Sequence, residues 1–437
     1  RAQSELRTAR TAYADAVTEL EAALLLDGGR DDVRARLASA IYDQAVLAEL
    51  ARDRDATRDM VARLDAFDHG GTLAAAWRKP ASLSLEAPGA IRIQIRPYRD
   101  RSGRLELGTP VLTSTTSQLS GLLAPGSYLI ELSGSDGAVV RDPVLASRGE
   151  LLQLSVPLPR AADLPRGMVY IPAGRCLIGA GHGDEEHRRT FLSASPIHQV
   201  TTGAYLIAIA EVTFGDWMRY LRALPDDERE KRRPNASPLS GSAVRLDGGS
   251  HPGEPFVLRI LPTEQLLVAR EGEPLVYPDR VHHRTVRWED APVSGISLED
   301  ARAYTAWLSS TGRVPGARMC SDVEWERAAR GADGRTWAHG ERVEPDDANL
   351  DQTYGRKQLA YGPDEVGSHP ASTSPFGLVD AVGNAWEWVE GKNGEAIVRG
   401  GSWYQGAASA DVANRDINFP TLRSTWSGVR ICATPRR

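Results

Sequence analysis

The chain has 437 residues, a formal net charge of −6, 25% charged and 41% hydrophobic residues. Such values suit a soluble globular protein of roughly two to four domains and give no footing for wholesale nucleic-acid or membrane-surface binding. No run of 18 apolar residues and no signal peptide is present, so no membrane-spanning helix is expected.

The first residue is Arg1, so the sequence reads as a fragment or processed product with any further domains upstream. Cys176, Cys320 and Cys432 are widely spaced and make neither a disulfide framework nor a zinc site. They read as three reduced, mostly buried thiols in a reducing, cytoplasmic setting.

Residues 1–75 place Leu6, Ala9, Tyr13, Val17, Leu20 and Leu24 at helical spacing. Gly28 and Gly29 stop that helix, and Asp31 or Asp32 starts a second with Val33, Leu37, Ile41, Ala45 and Ala48 on one face. A third runs from Thr57 to Phe67. The segment is either a small helical array similar to tetratricopeptide repeats or a plain helical linker.

Residues 80–160 switch to alternation, as in SLSLEAPGAIRIQIRPYRD and YLIELSG, and predict an antiparallel β-sandwich of about seven strands. Leu123, Pro125, Gly126, Tyr128 and Ile130 form a turn and strand that resembles bacterial PEGA-type modules, which implies a spacer or contact surface.

From residue 166 to the end the texture is rich in Gly and Trp, with a polar insertion over about 224–290. SLEDARAYTAWLSSTG reads as a helix capped by Ser297 with Asp300 reaching back, burying Ala301, Tyr304, Trp307 and Leu308 and stopping at Gly312. SDVEWERAARG reads as another, capped by Ser321, with Val323, Trp325 and Ala328 inward. DGGSHPGEP within the insertion predicts an irregular loop.

Seven stretches in order carry a resemblance: GMVYIPAG, HQVTTGAYLIAIAEVTFGDW, PVSGISLEDARAYTAWLS, RMCSDVEWERAARG, FGLVDAVGNAWEW, VRGGSW and SGVRICA. Over about 270 residues the chain resembles the formylglycine-generating enzyme and sulfatase-modifying-factor family. The resemblance implies an α+β fold, C-type-lectin-like, at the C-terminus. It also implies calcium ligands: Asp380 and Glu387 with the carbonyls of Gly383 and Ala385 at one site, and Asn349, the carbonyl of Leu350 and Asp364 at another.

In that family two cysteines, three and eight positions past the serine of G-G-S, bind Cu(I); counted from Ser402, those positions here are Gln405 and Ala410. No copper is therefore expected, and no catalytic residue is assigned. His182, Asp184 and His187 could be forced into an iron triad, but a charged solvent loop is the better reading. The segment after G-G-S lies, by resemblance, along the substrate groove, and Trp403, Tyr404, Gln405, Asp411, Asn414, Asp416, Asn418 and Trp426 are the candidate binding residues. Trp403 and Trp426 have an alternative as core residues. The frame of Gly400–Trp403, Ala413–Arg415 and Gly428–Arg430 is also similar to ligand-binding lectin-like proteins.

The layout resembles the C-terminal half of bacterial serine/threonine kinases that carry such a domain, although no kinase motif occurs in these residues. The expectation is a non-catalytic module that binds a protein or peptide, with no nucleic acid and no membrane span. A family enzyme using other chemistry and a structural oligomerisation tail are the alternatives.

Overall fold

The apolar spacing at the N-terminus produces four helices: α1 (Ala2–Leu26), α2 (Asp31–Leu50), α3 (Arg54–Phe67) and α4 (Thr72–Trp77). They are seen in a computed structural model that describes residues 2–50, 53–181, 194–237 and 241–436. Asp53 caps α3 by accepting from the Ala56 N–H at 3.0 Å. Val17, Leu37, Ile41 and Leu64 meet in a small core of their own.

Eight strands follow: β1 (Ala81–Glu86), β2 (Ala90–Arg101), β3 (Arg104–Leu107), β4 (Leu112–Ser114), β5 (Gln118–Leu123), β6 (Gly126–Gly134), β7 (Val139–Ala146) and β8 (Leu151–Ser155). One sheet has the order β5–β1–β8; the other runs β3–β2–β6–β7, with β4 also on β2. Leu83, Ile93, Ile130, Leu132 and Val140 fill the space between them. The expected antiparallel sandwich of about seven strands has eight, and one pairing needs correction: β1 pairs with β8 in parallel, Ser82 opposite Leu151. β8 reaches β1 by crossing from one sheet to the other, so no hairpin sets its direction.

The remaining chain holds β9 (Met168–Ile171), β10 (Gly174–Ile178), β11 (His198–Thr202), β12 (Tyr205–Ala208), α5 (Phe214–Arg222) and α6 (Asp226–Lys231). The insertion continues with β13 (Asn235–Ala236), β14 (Ala243–Gly248), β15 (Phe256–Leu261), β16 (Leu267–Arg270), β17 (Leu275–Val276) and β18 (Thr285–Val286). β13 to β16 form a four-stranded sheet in chain order, with β15 and β16 on the strand-like stretches PFVLRIL and QLLVARE. Alternation puts Phe256, Leu258 and Ile260 on one side, where they join Trp217 and Trp288 in the largest core. DGGSHPGEP ends β14 with Asp247 and Gly248 and then forms the turn to β15.

Helices α7 (Leu298–Ser310) and α8 (Asp322–Arg330) lie where the sequence puts them. Ser297 with Asp300, Ser321 with Glu324, and Thr213 with Asp216 on α5 all close reciprocal capping boxes. Val323 is only half-buried, whereas Trp325 and Ala328 are in the core. The final strands are β19 (Ala317–Met319), β20 (Trp386–Glu390), β21 (Ala396–Arg399), β22 (Asp416–Asn418), β23 (Ser427–Val429) and β24 (Ile431–Ala433). They build two small sheets, β19–β24–β12–β9 and β22–β21–β20–β23.

The cysteine reading is corrected here. Cys320 and Cys432 form a disulfide across the β19–β24 pair, 112 residues apart in sequence. Sequence spacing could not show that two strands bring them together. A cytoplasmic setting loses the support it drew from reduced thiols. Cys176 is free and buried, and burial pushes its thiol up to about 11. No helix among the described residues is long and apolar enough to cross a membrane.

Contacts tie the β-module to the chain after it. Ser127 Oγ donates to Asp333 at 2.7 Å, and the Leu105 N–H donates to the His339 carbonyl at 2.9 Å. Asp142 on β7 is buried, 3.9 Å from Arg327 on α8. Burial pushes the Asp142 carboxyl up to about 7, and Arg327 offsets this only in part. The folded state thus holds a proton that the unfolded chain releases at lower pH. Stability should fall as pH rises from about 4 to about 7, by at most about 1.4 kcal/mol per pH unit from this group. Urea midpoints at pH 5 and pH 8 check this: the fall should be smaller in Asp142→Asn than in the unsubstituted protein.

Candidate functional site

Strand β21 ends in Arg399, and the next residues, Gly400 and Gly401, turn the chain with φ of +96° and +75°. A Cβ on Gly401 would lie 2.7 Å from the Cβ of Ala410. Only glycine permits that approach, and it buries Ala410 completely. The chain between them is a short loop with a 3-10 turn at Ala407–Ala410.

Gln405 is fixed inside this loop. Its Oε1 accepts from the Trp386 indole N–H at 3.2 Å and from the Ser402 hydroxyl. Its backbone carbonyl accepts from the Asp351 N–H at 3.1 Å. The two positions that matter for soft-metal chemistry therefore hold a hydrogen-bonded amide and a core methyl. Neither supplies a thiolate.

Around them stands an aromatic cluster. Tyr404 stacks on Trp426 with centroids 4.8 Å apart and planes 11° apart. Trp403 meets Tyr404 edge-on at 5.9 Å, and Tyr361 lies 5.7 Å from Tyr404 and 6.4 Å from Trp403. Trp403 is buried, whereas Tyr404 is 38% exposed and Tyr361 and Trp426 are half-buried. The Trp426 indole nitrogen is buried without a hydrogen-bond partner. Beyond the cluster, edge strand β22 exposes Ile417 by 55%, and the next residue but one, Phe419, is exposed by 78%.

Residues 154–435 match the model described as "Sulfatase-modifying factor enzyme 1-like domain". The chain belongs to this family. Its relatives include "Inactive C-alpha-formylglycine-generating enzyme 2" of Bos taurus, 28% identical over 290 residues, covering 61% of this chain and 87% of that protein. A "Hercynine oxygenase" of Mycolicibacterium smegmatis is 25% identical over 312 residues, covering 64% of each. "Serine/threonine-protein kinase Pkn1" of Chlamydia trachomatis is 23% identical over 269 residues, covering 60% of this chain and 34% of the kinase. The match begins at residue 154, inside β8.

Within this domain the candidate binding residues divide. Trp403, Tyr404, Gln405 and Trp426 come together as described. Asp416 and Asn418 lie on β22 and bond each other at 3.2 Å. Asp411 and Asn414 do not belong to a binding face, because both are buried. Asp411 lies 3.9 Å from Arg330 and accepts from the Ala413 N–H. The Asn414 carbonyl accepts from Arg399, and its amide donates to the Ser409 carbonyl. Trp403 is core as well, its indole closed under Tyr404. Tyr361 was missed; its stretch, QLAYGPDE, has no periodicity or spacing that marks a binding aromatic.

The expected calcium ligands are mostly committed to protein partners. Glu387 is fully buried and paired with Arg430, Nη2 to Oε1 at 2.7 Å and Nε to Oε2 at 2.9 Å, and it also accepts from the Trp325 indole. In this structure a guanidinium, not a metal, satisfies this carboxylate. Asp380 sits at φ +56°, accepts from the Gly367 N–H, and is pushed up to about 6 chiefly by burial. Glu211 shares this interior. Both its oxygens are buried without a hydrogen-bond partner, and burial and then Asp380 raise it well above the usual carboxylate range. Gly383 has φ +80° and Ala385 is buried beside it.

Asp364 is likewise spoken for, by Arg280, Tyr354 and His369. Asn349 donates to the Gly362 carbonyl at 3.0 Å, and the Leu350 carbonyl accepts from the Thr353 N–H at 3.1 Å. Among the described residues no three His, Cys, Asp or Glu side chains are arranged to hold a metal. His182, Asp184 and His187 lie outside the described residues.

Burial separates scaffold from surface here. Trp403→Ala should cost about 3–5 kcal/mol of stability, and Asp416→Ala should stay within about 0.5 kcal/mol. Guanidinium denaturation of the two variants checks the difference.

Proposed function

We propose that this protein is a recognition module, built on a formylglycine-generating-enzyme-like fold that gave up copper chemistry. It binds a protein or peptide through the face of Tyr361, Tyr404 and Trp426 and the adjoining edge strand. One observation carries the reading: the loop that would hold two thiolates holds Gln405, locked between Ser402 and Trp386, and Ala410, packed against Gly401. Partly exposed aromatics over a rigid base are what hot spots in protein interfaces use. A lectin-like arrangement of the two small sheets fits a fold that presents loops for binding.

The relative whose name declares it inactive and the kinase relative both support a non-catalytic part in a larger signalling protein. In this reading the β-module is a PEGA-like spacer and the N-terminal helices a repeat-like contact segment. An upstream kinase or other signalling domain would use them to pass on the binding event. The hercynine oxygenase relatives favour a second reading, an enzyme using another metal.

Anaerobic Cu(I) titration and selection of displayed peptides test this together. The expected result is no tight copper and a peptide bound with micromolar or better affinity. Binding should fall more than tenfold in Tyr404→Ala with Asp416→Ala, with the thermal transition retained. One equivalent of tightly held copper or iron, with oxygen consumption, would replace the recognition reading with the enzyme one.

A further inference from the structure

We infer that Arg280, carried by the insertion, is a built-in cation that takes the place of calcium in the 349–364 loop. Arg280 and Asp364 are both fully buried, and Nη1 of the arginine donates to Asp364 Oδ1. Its Nε donates to the Ala360 carbonyl at 2.7 Å, its Nη2 to the Gly362 carbonyl at 2.7 Å, and Nη1 also to the His283 carbonyl at 3.3 Å. One carboxylate and three carbonyls make an all-oxygen shell, the kind a hard divalent ion gathers. Here the planar, five-donor guanidinium gathers it.

The site is closed around the arginine. The rings of Tyr277 and Tyr354 lie 3.6 and 4.1 Å from its central carbon. Tyr277 can seat because position 362 is glycine, at φ +148°; a Cβ there would lie 2.4 Å from the tyrosine hydroxyl. The other oxygen of Asp364 takes the Tyr354 hydroxyl at 2.6 Å and His369 Nε2 at 2.9 Å. Asn349 offers its amide donor, not its oxygen, to the Gly362 carbonyl. The residues that the family resemblance assigns to calcium therefore do not fit it. A divalent ion would sit beside a buried like charge in a medium that screens poorly.

The consequence reaches the surface. Ala360 and Gly362 flank Tyr361, and Arg280 holds both their carbonyls. The insertion hairpin thus sets the position of one aromatic of the recognition face. That last step rests on the proposed function; the replacement of calcium does not.

The test is calcium stoichiometry and thermal stability of the whole chain, in calcium and in chelator. Asp364→Asn should leave the calcium count of the protein unchanged, because the native Asp364 binds none. Arg280→Ala should melt lower, gain one calcium equivalent and recover much of its melting temperature in millimolar calcium. Recovery should be absent when Asp364→Asn is added. A calcium count that drops in Asp364→Asn alone would overturn the inference. So would an Arg280→Ala protein that calcium cannot restore, or calcium density on Asp364 in crystals of the unsubstituted protein grown in calcium, which needs no variant to fold. Peptide binding is not among these readouts, so failure of the recognition reading would leave the calcium result standing.

Discussion

The Arg430–Glu387 pair is the constraint around which the C-terminal domain closes. Arg430, between β23 and β24, gives its guanidinium to Glu387 on β20, to the carbonyls of Ala208 and Ile209 at the end of β12, and to the Val379 carbonyl. Three parts of the chain thus converge on one fully buried cation. An ion pair this deep adds little net stability over a well-packed apolar pair, but removing one partner leaves a buried charge and costs about 3–5 kcal/mol. Its effect is on geometry, because short irregular strands need fixed points that long ladders do not.

Arg399 repeats the device one strand away. It donates to Asp322 at 2.6 Å, to Glu326 at 2.9 Å and to the carbonyls of Val412 and Asn414. Helix α8, the end of β21 and the turn after the 3-10 segment are held together by it. The aromatic face stands on this frame, which is why Asp411 and Asn414, polar and close in sequence to the exposed residues, are turned inward as loop fasteners. Arg280 is a third buried guanidinium with its own carboxylate. The domain organises its loops with arginines, each satisfied by side-chain and carbonyl oxygens together.

The two positions where the family resemblance places thiolates are filled. Gln405 fills its position with hydrogen bonds, Ala410 with packing against Gly401, and the neighbouring aromatics cover both. Such a site presents a packed, partly apolar surface.

Much of this was legible in the residues. Capping boxes at Ser297 and Ser321, the alternation of β1 and β15, and the ordered stretches from GMVYIPAG to SGVRICA depend on local spacing or on order along the chain. So does the presence of Gln405 and Ala410 at the two positions counted from Ser402. What the sequence could not specify are encounters between distant segments. The Cys320–Cys432 bond, the parallel β1–β8 pair, the place of Tyr361 beside Tyr404, and the seating of Arg280 on Asp364 each join residues whose separation along the chain carries no period. Acids that look like metal ligands on a loop become ion-pair partners once a remote arginine arrives. Local chemistry is written along the chain, whereas the partner of a buried charge is decided only when the core closes.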